Sequence, residues 1–204
     1  MFKLIKLIKM KKTILSLVIL LSISIKAQTT YPLSNYDTKN LKNNNYIKDT
    51  EGVLNPFVGT WEWTNGSNTT FRVVLTKKEH WNASGFNKFY SDEILGGYRY
   101  IENGTLIVDR LTYTTDFTSD TSTWAAFSSI LGSVSYPETT KLKISIYDKL
   151  KSKSCLATMV MEVSQNGGLQ AHWVLFDHET GNFSGATKQQ GFSIPTDVIL
   201  TKLP

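Results

Sequence analysis

Three observations predict an all-β fold for this chain of 204 residues. From Gly59 onward, apolar and polar residues alternate with a period of two, the signature of strands with one buried face. Turn-forming pairs such as Asn103-Gly104 separate these runs. A single cysteine, Cys155, rules out an intramolecular disulfide, so stability has to come from a packed core.

In chain order, Met10 to Ala27 read as an export signal. Lys11 and Lys12 give a basic start, Ile14 to Ile25 a short apolar run broken by Ser16, Ser22 and Ser24, and Ala27 the small residue a signal peptidase accepts. The run is too short to span a bilayer comfortably and Lys26 closes it. Met1 and Met10 are both compatible starts. The mature chain is expected to begin near Gln28 and to be exported, periplasmic or extracellular, and soluble. Cys155 lies far from the apolar run, so no acyl anchor is expected.

The signal changes the reading of charge. Six of the 22 basic residues lie at or before Lys26, which leaves 16 against 17 acidic ones in the mature chain. A near-neutral product without a clustered basic face is not expected to bind nucleic acid.

Residues 28–55 are rich in Asn, Thr, Lys and Asp, with Asn43, Asn44 and Asn45 in a row, and are expected to form a polar flexible leader. Residues 56–204 match the size of one domain. Within it Trp61 and Trp63 flank Glu62, and Phe71, Val73 and Leu75 alternate with Arg72, Val74 and Thr76. Leu95 to Glu102 and Thr105 to Tyr113 pair across Asn103-Gly104, and Leu142, Ile144 and Ile146 mark another strand. Cys155 to Ser164 and Leu169 to Asp177 pair across Gln165-Asn166-Gly167-Gly168, and Asp197 to Leu203 is the last run. In such a strand Cys155 is expected as a small buried hydrophobe rather than a catalytic thiol. Consecutive hairpins favour an antiparallel up-and-down barrel of about 8–10 strands, which removes exposed edges.

One segment departs from this pattern. Between Ser122 and Gly132, Trp124, Phe127, Ile130 and Leu131 recur at helical spacing, which predicts one short helix, a plug or a lid at a barrel end. Thr112 to Thr123 leads into it as a polar loop, a surface suited to carrying specificity.

The run Leu54-Asn55-Pro56-Phe57-Val58-Gly59-Thr60-Trp61 resembles the opening of a lipocalin-type, or calycin-type, barrel, where a helical turn precedes Gly-x-Trp. Lipocalins usually add an arginine beside the last strand, stacked on that tryptophan. Here Arg72, Arg99 and Arg110 are far from the end and Lys202 is the nearest cation, so the likeness is to a lipocalin-like barrel. A closer resemblance is carried by the signal, the polar leader, Phe57 to Trp61, Phe71 to Lys78, Gly97-Tyr98-Arg99-Tyr100 and Ile194-Pro195-Thr196-Asp197. Together these resemble the secreted bacterial domain-of-unknown-function family numbered 6705. The resemblance implies a fold class and a compartment and carries no catalytic residues.

The chemistry-bearing motifs are few. The sequence has no Gly-x-Ser-x-Gly elbow and no phosphate-cradling Gly-x-x-x-x-Gly-Lys loop. His80, His172 and His178 are the only histidines, and Asp177-His178-Glu179 has turn composition with diverging side chains, so no metal and no cofactor are expected. What remains is aromatic content, which either fills the barrel or lines a cavity. The expected function is non-catalytic binding of a small apolar or amphipathic ligand, with Trp63, Tyr98, Tyr100, Trp124, Phe127 and Trp173 as candidate contacts. The alternatives are a filled barrel acting as an envelope or surface protein-interaction module and, less favoured, a hydrolase-type enzyme built on a histidine and an acidic partner.

Overall fold

The computed structural model describes residues 27–82, 89–111, 130–135, 138–151, 153–164, 168–177 and 190–204. The chain is all-β, and antiparallel pairing dominates a mixed sheet. Its strands are β1 (Thr30–Pro32), β2 (Tyr46–Lys48), β3 (Gly59–Thr64), β4 (Thr70–Trp81), β5 (Tyr90–Glu102), β6 (Thr105–Asp109), β7 (Ile130–Ser135), β8 (Glu138–Asp148), β9 (Lys153–Val163), β10 (Leu169–Asp177) and β11 (Asp197–Lys202). The order across the sheet is β1-β2-β5-β4-β3-β11-β10-β9-β8-β7; β6 also pairs with β5, and β7 also pairs with β5 through Ile94 and Gly132, Leu95 and Leu131, and Gly96 and Ile130.

The period-two pattern sets the inner face. Trp61, Phe71, Val73, Leu75, Ile94, Tyr98, Leu142, Ile144, Met159, Ala171, Trp173 and Leu200 point into one core and are essentially inaccessible. Cys155 is a buried free thiol in β9, as its strand pattern predicts. Asn103 and Gly104 take φ values of 50° and 79°, the positive values a tight hairpin between β5 and β6 needs. Gly97 meets a different demand. The Arg110 N–H donates to the Tyr98 carbonyl at 2.7 Å, and a Cβ at Gly97 would run into the Arg110 carbonyl and the Leu111 backbone. The chain leaving β6 therefore crosses β5 where only glycine leaves room.

Two expectations need correction. Residues 28–55 are a structured part of the fold: β1 and β2 add to β5 in parallel, which also makes the sheet mixed rather than purely up-and-down. Leu33, Tyr46, Ile47 and Leu54 are buried, and two buried carboxylates fasten the segment. Asp92 accepts from Tyr46 Oη at 2.5 Å and from the Asp49 and His80 backbone N–H groups at 2.9 Å each. Asp49 accepts from the Val53 and Leu54 N–H groups and holds Lys77 Nζ at 2.9 Å. A few apolar anchors with satisfied buried polar groups thus order a segment whose average composition looks too polar to fold.

The second correction concerns the helix. Trp124 and Phe127 lie outside the described residues, but Ile130 and Leu131 belong to β7, where pairing with β5 and β8 outweighs their helical spacing. At the Gly-x-Trp, Trp61 Nε1 donates to the Phe57 carbonyl at 2.8 Å, and Lys202 Nζ stands 5.3 Å from the Trp61 ring centroid while donating to the Pro56 carbonyl at 2.8 Å. Lys202, the cation nearest the end of the last strand, thus lies over the tryptophan. Partial burial lowers the Lys202 pKa from its ordinary value.

Candidate functional site

A cleft of about 480 Å³ opens between the end of the β5–β6 hairpin, the β8–β9 turn and the segment entering β11. Tyr100 and Glu102 from β5 and Ile107 from β6 form one wall; Leu150 and Lys151 form the second; Phe192 to Thr196 form the third. This volume falls within the ordinary range for small-molecule sites.

Fixed polar contacts hold each wall. Asp148, fully buried, accepts from the Ser193 N–H at 2.7 Å, Ser193 Oγ at 2.5 Å and the Lys151 N–H at 3.1 Å, so one carboxylate ties the β8–β9 turn to the third wall. Lys153 places Nζ 4.3 Å from the Phe192 ring centroid. Trp173 Nε1 donates to the Pro195 carbonyl at 3.1 Å, and the Leu175 N–H to the Thr196 carbonyl at 2.7 Å. Tyr98 Oη donates to the Tyr147 carbonyl at 2.8 Å and accepts from the Lys149 N–H at 3.3 Å, and burial pushes its pKa up to about 12. Tyr100 Oη donates to Glu102 Oε1 at 3.1 Å; burial first, then this bond and the carboxylate charge, raise the tyrosine's pKa. The cleft thus presents a mixed surface, polar groups alternating with aromatic and aliphatic ones, with Glu102 and Lys151 among its lining residues.

The structure gathers three of the sequence candidates around Phe71, whose ring centroid lies 5.4 Å from Trp173, 6.4 Å from Tyr98 and 6.3 Å from Tyr100. Tyr98 and Trp173 are fully buried core residues, and Trp63 packs half-buried at the core margin, so of these only Tyr100 reaches the cleft. Trp124 and Phe127 lie outside the described residues. Sequence reasoning missed Glu102, Ile107, Leu150, Lys151 and Phe192 to Thr196. The available signals were Pro195 ahead of the last strand and Leu150 in an otherwise charged turn, an apolar residue that stays 49% exposed.

The two described histidines do not converge. His80 stacks on Tyr90 with centroids 4.1 Å apart and meets Gln28 Oε1 at 3.0 Å, while His172 pairs with Asp197 at 2.7 Å on the outer face. His178 lies outside the described residues. Among the described residues no three His, Cys, Asp or Glu side chains group as a metal site, and no helix is long and apolar enough to cross a membrane.

No curated protein and no solved structure matches this chain. One family model does, over residues 10–203, a span that takes in the whole described fold and every wall of the cleft. The chain belongs to this family, described as a family of unknown function (DUF6705).

Proposed function

We propose that this is an exported, non-catalytic binding domain that holds a small amphipathic ligand in the cleft beside Tyr100. The cleft itself carries the reading: its walls mix the aromatic and aliphatic groups of Tyr100, Ile107, Leu150 and Phe192 with the polar groups of Glu102, Lys151, Ser193 and Thr196, which suits a ligand with an apolar body and a polar end. Export rests on the Met10 to Ala27 signal pattern.

The fold proposed with this function is a lipocalin-like barrel. Support comes from the circuit of pairings β5–β4–β3–β11–β10–β9–β8–β7 and back to β5, and from Lys202 over Trp61 at the Gly-x-Trp. Around Phe71 the interior is occupied by Trp61, Tyr98 and Trp173 side chains, which favours a ligand at the end cleft over one in the centre. The same packed interior supports the second reading, a surface interaction module.

The test is native mass spectrometry of the mature protein isolated gently from envelope and medium fractions of its source, followed by organic extraction. A stoichiometric small molecule, lost from Phe192→Ala and Tyr100→Ala variants that still fold, is the expected result. A bare mass in both fractions, with no chemical-shift change at Tyr100, Ile107 or Phe192 on titration with medium-chain fatty acids or alkyl glycosides, would remove the ligand reading.

A further inference from the structure

The rows of the outer face of β8, β9, β10 and β11 can be read from register. Ser145, Leu156 and Phe176 form one row; Lys143, Thr158, Val174 and Asp197 the next; Lys141, Val160, His172 and Ile199 a third. Phe176 and Ile199 remain 41% and 38% exposed, and Leu156, Val160 and Val174 are only half-buried. Leu156, Thr158, Val160, Val174 and Phe176 make the centre largely apolar, with His172 and Glu162 toward one end, and the two side strands carry opposite charge in one row, Lys143 on β8 and Asp197 on β11. Asp197 bonds His172 through Oδ1 and keeps 71% of its side chain exposed.

We infer that this face packs against the same face of a second copy. Turning one copy over about an axis parallel to the strands, between β9 and β10, exchanges β8 with β11 and β9 with β10. Leu156 of one copy then lies opposite Phe176 of the other, Thr158 opposite Val174, and Lys143 opposite Asp197, each contact occurring twice as two-fold symmetry requires. The sheets pack face to face with apolar rows at the centre and opposite charges at both sides. A single-sign charge pattern would oppose this arrangement; the divided pattern selects it. Four strands about 4.8 Å apart and about eight residues long at about 3.4 Å each give a face on the order of 500 Å² per copy. This is below the roughly 800 Å² per partner of a standard stable interface, so the dimer is a weak one that forms at micromolar concentrations and above.

The experiment is sedimentation equilibrium of the mature protein from about 5 µM to 1 mM, with Lys143→Glu, Asp197→Lys and the double exchange. Both positions face solvent, and circular dichroism melts check that each variant folds. The expected result is a concentration-dependent monomer–dimer equilibrium, weakened about tenfold or more by either reversal and restored when both are combined. A wild-type protein monomeric throughout, one that is monomeric but retains a different protein on this face, or a dimer indifferent to both reversals would each overturn the inference.

Discussion

Glu93 makes stability fall as pH rises from about 4.5 toward neutrality. It lies half-buried on the outer side of β5, opposite Lys78 of β4, with Tyr36 and the buried Asp92 nearby, and it accepts from Ser91 Oγ at 2.7 Å. Burial, with a smaller contribution from the Asp92 charge and against the Ser91 bond, pushes its pKa from 4.5 up to about 7. The folded state therefore holds a proton that the unfolded state has released. Stability is fully present below about pH 4.5, declines as pH rises toward 7, and stays at the lower value above it. At about 1.4 kcal/mol per pKa unit the full shift corresponds to roughly 3 kcal/mol, and water reaching the half-buried carboxyl reduces this to about 1–3 kcal/mol. Glu93→Gln keeps an acceptor for Ser91 and cannot ionise. Urea unfolding from pH 4.5 to 8 is expected to show the variant gaining about 1–3 kcal/mol over wild type at pH 8 and nothing at pH 4.5. Parallel profiles for the two proteins would refute the argument that Glu93 is held protonated.

Four further substitutions test the packing. Trp61→Ala removes a fully buried indole and its bond to the Phe57 carbonyl, and should cost about 3–5 kcal/mol in denaturant unfolding; an unchanged midpoint would take Trp61 out of the core. Asp92→Ala leaves the Tyr46 hydroxyl and the Asp49 and His80 N–H groups without their acceptor, at about 1–3 kcal/mol each, and amide exchange in residues 46–54 should accelerate most. Gly97→Ala forces the Arg110 carbonyl away from β5, which should cost at least about 1–3 kcal/mol, whereas Gly66→Ala, with nothing within 4 Å of the added carbon, tests only its φ of 76° and should cost less.

Local chemistry was the legible part. Asn103-Gly104 specified its hairpin because the turn needs positive φ at both positions, and the alternation in β3, β4, β8, β9 and β10 identified the inner face because one side of each strand is buried. What stayed hidden depends on partners distant in sequence. The polar average of residues 28–55 conceals Asp49 and the Tyr46 hydroxyl, whose partners Lys77 and Asp92 lie on β4 and β5. Ile130 and Leu131 show helical spacing with Trp124 and Phe127, yet β5 and β8 supply strand neighbours on both sides. Lys202 could be matched to Trp61 only once β11 was known to lie beside β3. The cleft draws its walls from four stretches of sequence, so only Tyr100, already prominent as an aromatic, could be picked out beforehand.

The position of β11 also governs the order in which the molecule can be completed. It lies between β3 and β10, joining residues 61–62 to 201–202, so a strand synthesised after both is the seam between the β3–β4 hairpin and the β9–β10 pair. Until it arrives, β3 and β10 each carry an unsatisfied edge able to recruit strands from other chains. Pairing across that separation is slow, because loop closure is opposed by entropy before any contact compensates it. A chain in which β11 has not yet paired is thus prone to aggregate, and losing β11 alone would leave that hazard permanent.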